Sequence, residues 1–240
     1  MRIKTYRMGK KRDEIDQFKG LVLGSHKGWA DFFIQSAMGF PSCFCRLAIA
    51  FLMPFGALAA FIGGNLIFFK RSSSSKNQTV EELEQKMKKT GEKYRNCVEN
   101  INPRLLIYPE GHRRAERTIQ RIRTGTFRIA FQLKMPVMII PGEGSQNAIR
   151  EKSLFIHSAN ISINPDNVPE DVDEAYVGCS DDKKLRGVSV LNFKEVIDPA
   201  KFEKWEDFYD VCEKSFREGY AEVCEIYDQI TKGTTAALLE

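Results

Sequence analysis

A chain of 240 residues, 42% hydrophobic and 28% charged, has room for one sizeable core and reads as a single globular domain. Thirty-six Lys and Arg against 32 Asp and Glu leave a formal charge of only +4, which excludes a nucleic-acid binder working by bulk charge. Six cysteines without a C-x-x-C pair and only three histidines exclude the usual zinc site and disulfide framework, and reduced thiols fit a cytosol-facing protein.

Charge is unevenly spread. Residues 1–12 hold six bases (Arg2, Lys4, Arg7, Lys10, Lys11, Arg12) and no acid, whereas 164–182 hold seven acids and no base. No apolar core follows the first bases, so the N-terminus is not a secretory signal; its composition also suits a transit peptide. Residues 1–20 are expected to form a basic arm, either solvated or in contact with anionic lipid head groups. The stretch GSHKGWADFF, 24–33, follows the short apolar run LVL and places Asp31 five positions after His26. Five residues along one regular helix turn through about 140°, so the pair would not share a face; a turn at Gly28 folds Asp31 back onto the imidazole instead. A carboxylate on one ring nitrogen fixes the tautomer and leaves the other nitrogen as a general base.

Leu47 to Phe69 carry no charge over 23 positions, long enough for a bilayer span if helical, but Pro54, Gly56, Gly63, Gly64 and Asn65 argue against one straight helix. A buried segment with a membrane-facing surface, within an apolar region 40–69, is the expectation; a hairpin dipping into one leaflet is the alternative. The serines 72–75 form a loop. Thr79 with Glu82 makes a capping box, and Val80, Leu83, Met87, Tyr94, Val98 and Ile101 recur at helical spacing until Asn102-Pro103. RLLIY then reads as a strand, GTFRIAFQLK as a helix with Phe127, Ala130 and Phe131 inward, and PVMIIP as a strand buried on both faces. SLFIHSANISI, with a structural His157, and GVSVLNF are further strands. Trp205, Phe208, Tyr209, Cys212, Phe216, Tyr220, Val223 and Tyr227 mark the inward face of a closing helix. Strands separated by helices imply an α/β layer fold with a largely parallel sheet, over 21–232, followed by a tail at 233–240.

In such sheets reactive groups gather where strands end. YPEGHRR, 108–114, turns the chain at the carboxyl end of a strand, with Gly111 free to take a conformation forbidden to other residues. From 104 to 134 there are eight bases (Arg104, Arg113, Arg114, Arg117, Arg121, Arg123, Arg128, Lys134) and two acids, Glu110 and Glu116. Guanidinium groups bind phosphate bidentately, so an anionic phosphate ester or nucleotide-bearing thioester fits, beside the alternative of a solvated helix face.

His26-x4-Asp31, GNLIFFKR (64–71), YPEGHRR (108–114) and RTGTFRIAFQLKMPVMIIP (123–141), in that order, resemble the four blocks of the glycerophospholipid acyltransferase family, which includes lysophosphatidic acid acyltransferases. The family patterns are N-H-x4-D, G-x-I-F-I-x-R, F-P-E-G-T-R-S and V-P-V-x-P-V, and the resemblance covers about 20–232. It implies the glycerolphosphate acyltransferase-type fold, with His26 as the base that deprotonates a glycerol hydroxyl for attack on an acyl-CoA thioester, and Asp31 orienting it. By position Gly64 and Arg71 match residues tied to acceptor binding. Glu110, Gly111 and Arg113 match residues that hold its phosphate, Arg121 or Arg123 a basic position before Gly125, and Pro136 a structural or acyl-binding residue. Ser25 in place of Asn, His112 of Thr and Arg114 of Ser are departures that bear on the acceptor head group.

The resemblance implies an acceptor among lysophospholipids, lysophosphatidic acid first, with glycerol 3-phosphate or a lysocardiolipin-type lipid as alternatives. It implies no metal or cofactor, acyl-CoA entering as co-substrate, and a cytosol-facing membrane location, endoplasmic reticulum or mitochondrial. No long leader precedes His26, so attachment is expected to rest on 40–69 and the basic N-terminus. A non-catalytic lipid-binding or membrane-protein assembly subunit is the expectation from a different class.

Overall fold

The computed structural model describes residues 3–28, 30–39, 42–46, 66–69, 79–119, 121–147, 167–177 and 187–231. The strands are β1 (Ile3–Gly9), β2 (Gly20–Gly24), β3 (Ser42–Arg46), β4 (Leu66–Phe69), β5 (Arg104–Ile107), β6 (Val137–Ile140), β7 (Gly142–Glu143), β8 (Asp173–Val177), β9 (Gly187–Phe193) and β10 (Val196–Ile197). The helices are α1 (Arg12–Gln17), α2 (Ala30–Ala37), α3 (Val80–Asn100), α4 (Thr124–Leu133) and α5 (Trp205–Thr231).

Six strands form the main sheet in the order β10-β6-β2-β5-β3-β4. Every pairing in it is parallel except β10 with β6. The expected α/β single domain with a mostly parallel sheet is therefore the observed architecture. Strand alternation divides its core between two faces. Leu21, Leu23, Leu105, Ile107, Val137 and Ile139 face α3, α4 and α5 through Tyr94, Cys97, Phe127, Ala130, Phe208 and Phe216. Val22, Leu106, Met138 and Ile140 face the other way, onto Ile15 of α1 and Ala30, Ile34 and Met38 in and after α2. Both faces being covered is why the β2, β5 and β6 segments read as unbroken apolar runs rather than alternating ones.

Helix α3 carries the predicted Thr79–Glu82 capping box. Its inward stripe is Met87, Gly91, Tyr94, Cys97 and Val98, whereas Leu83 and Ile101, expected to face inward, are exposed. Gly91 is a step of that stripe and lies against Ile129 and Leu133 of α4. In α4, Phe127 and Ala130 are buried as expected; Phe131 is only half-buried and Ile129 is buried. The closing helix keeps the expected face, with Phe208, Cys212, Phe216, Tyr220, Val223 and Tyr227 buried.

A second, four-stranded sheet, β7-β9-β1-β8, was not anticipated. It overturns the reading of 1–20 as a basic arm. β1 lies between β9, to which it is parallel, and β8, to which it is antiparallel. Ile3, Thr5 and Tyr6 are buried, and α1 follows. The two charge-biased stretches of the sequence meet here: Lys4 pairs with Glu174 at 3.0 Å and Arg7 with Asp173 at 2.6 Å across the β1–β8 ladder. Lys10 pairs with Glu14 and Glu195, each at 2.8 Å, and Arg12 with Asp16 at 2.9 Å. Opposite charges on facing strands support the pairing, so these bases are partners of the chain's own acids.

The expected strand SLFIHSANISI with His157, the loop 72–75 and the tail lie outside the described residues, as does most of 40–69. The parts of 40–69 that are described are strands β3 and β4, neighbours in the sheet. Among the described residues no helix is long and apolar enough to cross a membrane.

Deleting residues 1–9 removes the strand between β8 and β9 together with the buried Ile3 and Tyr6. At about 1.5–3 kcal/mol for each buried side chain, the expected outcome in thermal unfolding followed by circular dichroism is a Tm lower by about 10 °C or more, or loss of a cooperative transition. An unchanged Tm would restore the arm.

Candidate active site

Strands β2, β5 and β6 run parallel and end together, and the segments that leave their carboxyl ends build the site. After β2 the chain makes a turn from Ser25 to Gly28 and enters α2. Asp31, in the first turn of that helix, points backwards: Oδ2 accepts the backbone N–H of Lys27 at 2.7 Å and of Gly28 at 2.8 Å. The same oxygen lies 3.0 Å from His26 Nδ1, and Oδ1 accepts the hydroxyl of Ser145. The fold-back expected from a turn at Gly28 is thus present. Glycine is required there by proximity, since a Cβ would lie 2.9 Å from the Gln146 Cα.

Asp31 is 4% exposed, and a buried carboxylate is tolerated only when its lone pairs are used. Four donors use them. An ionised carboxylate only accepts, and with such a partner the contact calls for the proton on His26 Nδ1, which leaves Nε2 its lone pair. No described residue hydrogen-bonds Nε2, and the ring is partly solvent-accessible, 21% for its side chain. The imidazole is stacked on Tyr108, ring centroids 4.0 Å apart and planes 9° from parallel. Asp31 therefore holds one edge of the ring and Tyr108 its face.

From β5 the chain continues as Tyr108-Pro109-Glu110-Gly111, a tight turn closed by the Gly111 N–H on the Tyr108 carbonyl at 3.0 Å. Gly111 has φ +76°, and a Cβ there would meet the Arg123 guanidinium at 2.7 Å, so the expected special conformation is real and Arg123 packs over it. Glu110 is 1% exposed; Oε1 accepts the His26 backbone N–H at 2.9 Å, and Oε2 has no hydrogen-bond partner among the described residues. The loop beyond carries exposed His112, half-buried Arg113 and exposed Arg114. It is tied to the turn after β2 by the Arg114 N–H on the His26 carbonyl at 2.9 Å.

The eight bases of 104–134 do not form one patch. Arg104 stands at the opposite, amino end of β5 on Asp16 at 2.8 Å, Arg128 lies over the Trp205 ring, and Lys134 over Phe131. Arg117 pairs with Asp228 at 2.8 Å. What remains near the strand ends is Arg113, Arg114 and Arg123, and Arg121 is exposed. Pro136 precedes β6, at the far edge of the sheet from His26, and its carbonyl accepts the Leu21 N–H at 2.9 Å, a structural position. Gly64 and Arg71 lie outside the described residues.

Three residues around the His26–Asp31 pair and Lys27 had no signal in the sequence. Ser145 comes from the turn after β7, Glu143 is the last residue of β7, and Lys27 is fully buried beside His26. Ser25, where the family pattern has Asn, is explained by the fold: its hydroxyl donates to the Gly142 carbonyl and accepts the Gly142 N–H, both at 2.7 Å.

A family model described as Acyltransferase matches residues 9–142, more than half of the chain. The chain belongs to the acyltransferase family. The matched part runs from the end of β1 to the start of β7 and so includes His26, Asp31 and the 108–114 turn; β8, β9 and α5 complete the acyltransferase outside it. Among solved structures, the 1-acyl-sn-glycerophosphate (LPA) acyltransferase PlsC from Thermotoga maritima is similar in fold, with a TM-score of 0.56, 14% identity, and coverage of 93% of this chain and 72% of that one. A comparison with curated proteins gives no match.

Ser25→Ala leaves the N–H and C=O of Gly142 without their shared partner in a buried position. The expected cost is about 1–3 kcal/mol, read as a lower midpoint in urea at unchanged slope.

Proposed function

We propose that this acyltransferase moves a fatty acyl group from acyl-CoA to the free hydroxyl of a lysophospholipid, lysophosphatidic acid first among acceptors, giving phosphatidic acid. The observation that carries the reading is the His26–Asp31 pair with Nε2 unengaged, one hydrogen bond away from a loop bearing Arg113 and Arg114. A His–Asp pair and arginines on adjoining turns suit an acceptor that carries both a hydroxyl and a phosphate.

In this reading the acceptor O–H gives its proton to His26 Nε2 as its oxygen bonds to the thioester carbonyl carbon. The tetrahedral adduct expels the CoA sulfur, which leaves with the proton returned by His26. Asp31 stays ionised and stabilises the imidazolium while it exists. Stacking on Tyr108 favours the same cation, through the ring face. Arg113 and Arg123, beside the Glu110-Gly111 turn, hold the phosphate. The acceptor supplies the nucleophile, so no acyl-enzyme forms and no metal or cofactor takes part. Gly64 and Arg71 are assigned to acceptor binding on the resemblance alone. The substrates place the enzyme at a membrane surface on the cytosolic side, endoplasmic reticulum or mitochondrial. The apolar 40–69 region is its contact.

The test is CoA release by purified protein in detergent with oleoyl-CoA and lysophosphatidic acid, for wild type, His26→Ala and Asp31→Asn. Loss of the base should lower turnover by about 10²–10⁴, and loss of its orienting carboxylate by a similar order. A folded wild type inactive on lysophosphatidic acid, other lysophospholipids and glycerol 3-phosphate would favour a lipid-binding or assembly role instead.

A further inference from the structure

The residue next to the base is a lysine with no solvent exposure. Lysine is almost never fully buried unless its ammonium is satisfied, and this one is. Lys27 Nζ donates to the carbonyl of Glu116 at 3.0 Å and of Thr118 at 2.8 Å, and it sits over the ring of Tyr220, 4.2 Å from the centroid. Burial nevertheless pushes the ammonium down from its ordinary value, with the Glu143, Glu110 and Asp31 carboxylates pulling it back up. The two carbonyls belong to one tight turn, closed by the Thr118 N–H on the Glu116 carbonyl at 2.8 Å.

That turn ends the loop on which Arg113 and Arg114 stand. Residues 114–118 are exposed, so a surface loop is fastened from beneath by a side chain that leaves the backbone one position after His26. The far side of the lysine is built by parts outside the family match. Tyr220 of α5 gives its hydroxyl to Glu143, whose other oxygen accepts from Gln146. Arg117, in the same loop, reaches α5 through Asp228 and the Cys224 carbonyl, the latter at 3.2 Å. Glu143, 1% exposed, is the carboxylate that most opposes that downward push, and it also faces Arg117 of the same loop at 3.9 Å.

We propose that Lys27 is a positioning residue which fixes the distance between His26 and the basic loop 112–118, so that the acceptor's phosphate and its hydroxyl are held in register. It touches no substrate; it acts through the loop backbone. This rests on the acceptor-binding reading of that loop. It assigns to the helix and the β7 turn a share in the acceptor site that the family match does not contain.

Lys27→Met keeps the stem and removes both donors, and Lys27→Arg keeps donors. Two readouts on the full chain separate tethering from general stability. Backbone hydrogen exchange of 112–118 should rise at least tenfold in Lys27→Met while β2, β5 and β6 keep their protection, and Lys27→Arg should recover part of it. In CoA release, KM for lysophosphatidic acid should rise about tenfold with a much smaller fall in kcat, as expected for misplacing a binding group rather than the base. Tyr220→Leu, which removes the ring from the ammonium and leaves its donors, should shift both readouts less and in the same direction, and it decides the matter should the Met variant not fold. Unchanged exchange in 112–118 in the folded variants, or a fall in kcat at constant KM, overturns the proposal. A wild type without acceptor-dependent CoA release would defeat the acyl-transfer reading alone, and the exchange result would still decide whether Lys27 tethers the loop.

Discussion

The structure around His26 depends on one buried carboxylate. Asp31 sits at 4% exposure with four donors on its two oxygens: two backbone N–H groups of its own turn, the imidazole of His26 and the hydroxyl of Ser145. An ionised carboxylate in such a place costs several kcal/mol in lost hydration, which only a full set of hydrogen bonds offsets. The arrangement of the turn from β2 into α2 that satisfies the carboxylate also orients the His26 ring.

The sheet supplies the rest of the convergence. β2, β5 and β6 are register-locked neighbours, so the Ser25 turn, the Tyr108 turn and the Gly142 turn emerge side by side. The segment leaving β2 hydrogen-bonds both of the others: Ser25 and Asp31 to Gly142 and Ser145, and His26 to Glu110. The second sheet and α5 close the far side, carrying Glu143 and Tyr220 beneath Lys27. A base on one strand end and arginines on another are brought within reach by packing that neither turn specifies alone.

Much of this was legible in the chain because it is local. The Thr79–Glu82 cap, the doubly buried run 137–140 and the aromatic face of α5 follow from spacing and composition, and the structure has all three. The His26-x4-Asp31 spacing carried the fold-back, since a glycine lay between them. What failed was long-range. Bases at 4 and 7 read as a solvated arm because their acids lie at 174 and 173, far along the chain, and only strand pairing joins them. The charge surplus of 104–134 read as one site because sequence does not say that Arg104 stands at the wrong end of its strand. Lys27 and Ser145 carry no pattern at all; their burial and partners exist only in three dimensions.

The proposed general base requires a proton on His26 Nδ1, facing Asp31, and a free Nε2. With only three histidines in the chain, ¹⁵N-labelled imidazole NMR can assign His26 by comparison with a His26→Gln sample and read its tautomer directly at alkaline pH, where the ring is neutral. The account predicts a dominant Nδ1–H form in wild type that is lost in Asp31→Asn. A dominant Nε2–H form in the wild-type protein would contradict it, because the nitrogen meant to take the acceptor's proton would already carry one.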